Sequence, residues 1–333
     1  MRKIAVLVFT AAFLWGGYWF IGSRAVENGL ATWLSDRQND GWVAEYSKLN
    51  TIGFPSRFDT LITDLELADP RTGVAWSTQR LEIFALSYRP NHIIVSLPES
   101  QTLASPYERI TITNDTIRGS VVFEPDTLLA LERSSFELDN VALTSDLGWS
   151  TKIKTGRFAT RQTVAAINTH DISFEASGVT PSKSLKRSLD PAGLLPDEFE
   201  TLTINSTMAF DAPWDRLAIE QARPQIQTLD LKDLRAKWGD LEFRAAGELQ
   251  VNAAGVPSGN ITIKAVNWQD MLQIAVGAGL IPTQMAPTVE RALAFLAGMS
   301  GNPKTLDAPL AFKNGSITLG PIPLGPAPLL IIR

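Results

Sequence analysis

Residues 61–67, Leu-Ile-Thr-Asp-Leu-Glu-Leu, carry the pattern that decides the fold. Leu61, Thr63, Leu65 and Leu67 fall on one side of an extended chain, and Ile62, Asp64 and Glu66 fall on the other. A period of two marks a β-strand with one dry side. The five residues Asp69-Pro70-Arg71-Thr72-Gly73 that follow are turn-formers by composition. Working outward, alternation predicts strands over 75–88, 92–97, 108–113, 117–123, 136–143, 149–155 and 170–176. Ile110-Thr111-Ile112-Thr113 and Val121-Val122-Phe123 show the β-branched and aromatic residues that suit a pleated surface. Before residue 61, Trp42 to Ser47 alternate after the turn Asn39-Asp40-Gly41, and Gly53-Phe54-Pro55 makes a break. One helical turn is expected from Pro125 to Arg133, with Leu128, Leu129 and Leu131 packing. The reading is mainly β (α+β).

Residues 180–197 lose the alternation and gain Pro, Ser and charge, so they are expected to form a linker or long loop. Strands resume at Leu202–Ser206 and Met208–Phe210, with a short helical piece from Trp214 to Ala222. Gly247–Val251 and Ile261–Lys264 pair as a hairpin across a glycine-bearing loop. Two short helices follow. Leu272, Ala275, Val276 and Leu280 are periodic in 268–279; Val289, Leu293 and Leu296 are periodic in 287–300, where Pro287 suits the first turn. Asn314-Gly315 between Leu310–Lys313 and Ser316–Leu319 predicts a two-residue hairpin turn, since both residues accept positive φ. The proline-rich tail suits an edge.

The N-terminus differs from all of this. Residues 4–21, IAVLVFTAAFLWGGYWFI, carry no charge and follow Arg2 and Lys3. As a helix they span about 27 Å, close to the roughly 30 Å hydrocarbon core of a bilayer. Ile4, Val6, Leu7, Phe13, Leu14, Trp15, Tyr18, Trp19 and Phe20 are the candidate membrane anchor, with the aromatic rings gathered at the far end where a membrane meets water. The run exceeds the h-region of a cleaved signal, about 7–15 residues, and Gly22-Ser23-Arg24-Ala25 lacks a clean small-x-small site. A retained signal anchor is therefore expected over a cleaved signal or a buried core helix. Basic residues favour the cytoplasmic side, which puts the N-terminus inside and residues 25–333 outside, a single-pass inner-membrane topology with a periplasmic body. Val26, Leu30, Trp33 and Leu34 continue one apolar stripe, expected to pack on the domain. The expected organisation is an anchor over 1–24, an amphipathic helix and first strand over 25–50, β-rich halves over 51–179 and 198–333, and the linker at 180–197.

The chain has 333 residues, a net charge of −5, two histidines and no cysteine. The absence of a basic cluster argues against nucleic acid as a partner. Without cysteine there are no disulfides, thiolate metal sites or thiol nucleophiles. His170-Asp171 are neighbours, and neighbours on a strand point to opposite faces, so they cannot act as a dyad. His92 follows Pro90-Asn91 and is expected to play a surface or structural part at a turn. Asp36/Asp40, Asp64/Glu66/Asp69 and Asp230/Asp233 have no histidine partner and are expected to be solvated carboxylates. No G-x-S-x-G, P-loop or dinucleotide fingerprint occurs. No catalytic, cofactor-binding or metal-binding residue is expected, and no enzymatic activity.

Two groups of residues carry a family resemblance. One is Gly53, Phe54, Pro55 and Arg57, with Leu61–Leu67, Trp76 and Tyr88-Arg89-Pro90-Asn91. The other is Trp238-Gly239, Gly247, Gly255-Val256-Pro257-Ser258-Gly259, Asn267-Trp268, Asn314-Gly315 and Leu319–Gly325. Together they resemble an uncharacterised Gram-negative family, the domain of unknown function numbered twenty-one twenty-five, over nearly the whole soluble part. That family has no assigned activity. The layout is more distantly similar to AsmA-like envelope proteins, which implies a long curved antiparallel sheet, groove-like or taco-like, implicated in lipid handling. The resemblance implies a membrane-anchored, non-enzymatic envelope protein that binds or shields lipid acyl chains in an apolar groove. The alternative is a protein-interaction scaffold for envelope assembly, whose partner is another envelope protein.

Overall fold

The structure, a computed structural model, describes residues 1–332 except 165, 192, 194, 278, 280, 300, 301 and 321. Leu280 of the expected helical stripe, Leu194 of the expected linker and Pro321 of the family-like tail lie outside the described residues. Strand accounts for 51% of the chain and helix for 23%, so the fold is mainly antiparallel β. The chain divides into two compact units, residues 1–125 with 136–148 and residues 126–135 with 149–333.

In the first unit, helix α1 (Arg2–Asn39) precedes strands β1 (Val43–Glu45), β2 (Lys48–Ile52), β3 (Arg57–Asp69), β4 (Val74–Leu86), β5 (Arg89–Leu97), β6 (Ser100–Ala104), β7 (Arg109–Thr113) and β8 (Thr116–Phe123). The later part of β9 (Leu131–Ser145) also belongs here. α1 is one uninterrupted helix, with no break at residue 24. It ends where Asp40 and Gly41 leave the helix, and Arg37 in its last turn complements the helix dipole. β1 and β2 both pair with β3. Along β4 the partners change: residues 75–78 pair with β6 and residues 82–86 with β5. β6 continues to β7 and on to residues 142–145 of β9, whereas β5 pairs with β8.

Residues 61–67 lie within strand β3, but its pleat changes phase. Phe58, Thr60 and Ile62 are buried in the first half of β3; Leu65 and Asp69 are buried in the second. The switch falls at Asp64, whose φ is 51°. One left-handed residue breaks strict alternation, and among non-glycine residues a short polar side chain such as that of Asp tolerates this conformation best. Ile62 and Leu65 thereby both join the cluster around Leu34 and Ala44. Leu61 and Thr63, expected to share the dry face, do not join it.

The second unit holds β10 (Ser150–Gln162), β11 (Thr169–Thr180), α2 (Lys183–Leu189), β12 (Phe199–Phe210), α3 (Arg216–Glu220), β13 (Ile226–Trp238), β14 (Leu241–Val251) and β15 (Pro257–Val266). It closes with α4 (Trp268–Gly277), α5 (Ala286–Met299), β16 (Thr305–Lys313), β17 (Ser316–Leu319) and β18 (Ile322–Pro326). Each strand from β10 to β18 pairs antiparallel with the next. α4 and α5 cover one face, placing Trp268, Leu272, Val289, Leu293 and Ala297 against Leu306 and Ala308. The β16–β17 turn has φ of 53° at Asn314 and 73° at Gly315, as the dipeptide predicts.

Two expectations are corrected. Residues 180–197 carry α2 and lie inside the second unit, so they do not separate the halves. Pro125 to Arg133 is not helical. The Asp126 carboxylate accepts from the Leu128 and Leu129 amides, Leu129 takes φ of 55°, and β9 begins at Leu131. An Asx-type turn competes with the helix there. Leu128 and Leu129 are exposed instead of packing.

Substitution at the phase switch tests the account of β3. Asp64→Val is expected to destabilise the protein by about 1–2 kcal/mol, because a β-branched residue resists positive φ. Asp64→Asn keeps both the conformational tolerance and a hydrogen bond from Ser47, and is expected to be near neutral. Denaturant unfolding of the two variants measures the difference.

Candidate functional site

Along α1, one face meets the sheet of the first unit. Trp15, Tyr18 and Trp19 lie at i, i+3 and i+4 and so point the same way. Trp15 Nε1 donates to the Pro55 carbonyl at 2.9 Å, Trp19 Nε1 to the Arg57 carbonyl at 2.7 Å, and the Tyr18 hydroxyl to the Ser87 carbonyl. These carbonyls sit where β2 turns into β3 and β4 turns into β5. Loop carbonyls placed against an apolar helix need donors, and the tips of Trp and Tyr supply them without a charge. Trp19 is buried among Phe20, Phe54 and Phe58. Gly22 makes room for Phe58, since a Cβ there would stand 2.6 Å from the ring. One turn on, Glu27 accepts from the Thr51 amide. The expected stripe then docks: Leu34 is buried and Trp33 packs beside it.

By contrast, Ile4, Val6, Leu7, Phe13 and Leu14 are exposed, as is most of α1 before Trp15. α1 is the one helix among the described residues long and apolar enough to cross a membrane. Such an N-terminal helix can be a membrane span or a signal sequence.

On the sheet face opposite Phe58, register brings together residues distant in sequence. Arg57 pairs with Leu86, Asp59 with Phe84, Phe84 with Ile94, and Ile94 with Ser120. Phe84, Ala85, Leu86 and Ile94 floor a cavity of about 490 Å³, and Arg57, His92 and Arg118 rim it. That volume lies within the range of small-ligand sites, about 300–1,000 Å³. His92 lies in β5 and not at a turn; it is half-buried, its Nε2 hydrogen-bonded to Ser120 Oγ at 2.9 Å. The Arg57 guanidinium pairs with the Asp59 carboxylate. Arg118 has no ion-pair partner among the described residues, so the rim carries a net positive charge.

Two other cavities differ in chemistry. One of about 590 Å³ in the same unit is polar, with Glu45, Asp64 and Glu66 in its lining. One of about 540 Å³ in the second unit joins Leu189, Leu195 and Ile274 to Asp190, Asp240 and Asp270. Carboxylate linings repel an anionic head. Among the described residues no group of three or more His, Asp or Glu could hold a metal ion.

His170 and Asp171 point apart, as the strand reading requires. His170 is 3% exposed, against Phe210, with Nδ1 3.4 Å from Thr160 Oγ1. Burial pushes its imidazole below the ordinary value of 6.5, against the opposing pull of Asp171. Asp171 is held low by a hydrogen bond from Thr207 and by the charges of Lys232 and Arg161. Asp69, expected to be solvated, is buried: it accepts from the Arg71 amide and pairs with its guanidinium, which closes the β3–β4 turn.

The family-like residues separate into two sets. Gly53, Phe54, Pro55 and Arg57 form the loop under α1; Gly53 takes φ of 109°, and a Cβ there would meet the Arg57 carbonyl at 2.9 Å. The rest punctuate the second unit. Trp238 stacks on Phe199 and donates to the Pro196 carbonyl, and Gly239 lies against Pro196. Trp268 donates to the Pro303 carbonyl, and Pro257 is fully buried. Gly255 and Gly259 take positive φ. Sequence reasoning missed Phe84, Ile94 and Arg118, because β5 pairs with β8, not with the next strand, and alternation carries no signal of that pairing.

The molecule is thus a mainly antiparallel β protein carried on one long, N-terminal apolar helix. The family described as "Uncharacterized protein conserved in bacteria (DUF2125)" matches residues 19–328, and the chain belongs to it. No curated protein matches the chain.

Two measurements test this account. Removing a buried indole costs about 3–5 kcal/mol in a core, so Trp19→Ala is expected to raise amide hydrogen exchange in residues 53–58 and 87–89 by well over tenfold. For His170, the lowered folded pKa means that the unfolded chain takes the proton first. Its contribution is complete above about pH 6.5 and is lost as pH falls below that. The Tm of the wild type is therefore expected to fall between about pH 7.5 and about pH 5.5, and that of His170→Asn to fall less.

Proposed function

We propose that this is a single-pass inner-membrane protein whose β-rich body lies in the periplasm and which binds lipid without catalysing a reaction. α1 serves as the retained anchor, with Arg2 and Lys3 on the cytoplasmic side. The observation that carries the reading is the cavity of about 490 Å³ at the end of the sheet where α1 docks. Its floor is aliphatic and aromatic, suited to acyl chain, and each methylene removed from water is worth about 0.8 kcal/mol. Its rim adds Arg57, Arg118 and the imidazole of His92, suited to an anionic head. The AsmA-like resemblance points the same way at the level of layout alone. A non-enzymatic role is supported by His170 and Asp171, which face opposite sides of their strand.

Lipid extraction from purified full-length protein, followed by mass spectrometry, tests this. Wild type is expected to carry an amphiphile well above the level of a control single-pass protein in the same detergent. Phe84→Asp, which places a charge on the floor, is expected to lose most of it. Equal lipid in wild type, variant and control removes the reading and leaves a protein-docking scaffold in its place.

A further inference from the structure

α1 makes two demands that conflict unless part of the sheet enters the membrane. Residues 4–21 are the uncharged run, about 27 Å as a helix. The docked face, however, begins at Trp15. Only residues 4–14 are free of the domain, and they span about 16 Å, far less than the roughly 30 Å of hydrocarbon. A bilayer crossed by α1 must therefore include residues 15–21. Whatever is docked on those residues sits at the same depth.

Docked there are the β2–β3 loop and the β4–β5 turn, and their surface has the required composition. Phe54 is 56% exposed and Tyr88 59% exposed, with Ile52, Leu86 and Phe20 also exposed beside them. Exposed large apolar side chains gathered at one end of a unit mark an interaction surface. Arg24, Arg57 and Arg89 border them and are exposed. The nearby carboxylates are engaged, Asp59 with Arg57 and Glu27 with the Thr51 amide, which leaves Arg24 and Arg89 as the cations without an ion-pair partner among the described residues. Apolar and aromatic tips ringed by arginine match a leaflet, with acyl chain beneath and phosphate at the rim.

We infer that the end of the first unit formed by Phe54, Leu86 and Tyr88 is immersed in the outer leaflet of the membrane that α1 crosses, with Arg24, Arg57 and Arg89 at the level of the lipid phosphates. The inference rests on α1 being a retained span. It sets the lipid-binding cavity beside the leaflet, so that a lipid reaches the floor without crossing water.

The chain has no cysteine, so one introduced cysteine gives a single reporter. Full-length protein carrying a nitroxide at Tyr88→Cys, Phe13→Cys or Tyr107→Cys is placed in nanodiscs of phosphatidylcholine and phosphatidylglycerol. Tyr107 lies in the β6–β7 turn and is 88% exposed. Its neighbour Pro106 packs against Gly73, which places the turn at the end of β4 away from Leu86. The label at residue 88 is expected to collide several-fold more with oxygen, and several-fold less with a nickel chelate, than the label at 107. A water-like label at 88 with a lipid-like label at 13 overturns the immersion and leaves the anchor intact. Water-like labels at both 88 and 13 overturn the anchor as well. A label at 88 shielded from both reagents means that protein covers this surface, and overturns the immersion.

Discussion

Three hydrogen bonds tie α1 to one end of the first unit: those from Trp15, Tyr18 and Trp19 to the carbonyls of Pro55, Ser87 and Arg57. They are a constraint before they are a source of stability. A neutral hydrogen bond contributes only about 1 kcal/mol net, but a buried carbonyl left without a donor costs about 1–3 kcal/mol. The β2–β3 loop and the β4–β5 turn therefore reach the helix in one orientation. Phe58, let in close by Gly22, fills the space beneath. From that register follow the direction of β3, the place of β4 beside it, and the face on which Phe84, Leu86 and Ile94 gather.

α1 meets β3 at Phe58, beside Trp19 and Gly22, and again at Ile62 and Leu65, beside Leu34. A helix presents a residue to one side every 3.6 positions, and a strand every second position. A strictly alternating strand would turn Asp64, not Leu65, toward the helix after Ile62. The positive φ at Asp64 resets the alternation, so Ile62 before it and Leu65 after it both pack near Leu34. Asn140 does something similar in β9, at φ of 48°, with its side-chain amide donating to Asp115. In each case the residue is one whose short polar side chain tolerates left-handed backbone.

Chemistry is concentrated by pairing across strands. Arg57, Phe84, His92 and Arg118 come from β3, β4, β5 and β8. The glycines and tryptophans that carry the family resemblance do a different task. Most of them set turns, close approaches and helix contacts in the second unit, so their presence marks the fold and does not mark a ligand.

Sequence alone determined the elements whose physics is local. The uncharged run at 4–21 is a helix because nothing in it breaks one, and the strands follow from period-two alternation. Asn314-Gly315 is a turn because both residues accept positive φ. His170 and Asp171 were separable because adjacent strand residues oppose each other. Tertiary structure decided what local patterns cannot encode. The dry side of 58–69 changes at Asp64, and residue 64 reads like any polar strand residue until its φ is known. Pro125 to Arg133 looked helical, but the Asp126 carboxylate captured two amides first. The cavity was invisible because β5 chooses β8 across an intervening pair of strands, and loop closure over that distance leaves no periodic trace. How much of the apolar run stays free of the domain was also undetermined: hydropathy measures how long such a run is, and only the docking of Trp15, Tyr18 and Trp19 shows how much of it the folded domain already occupies.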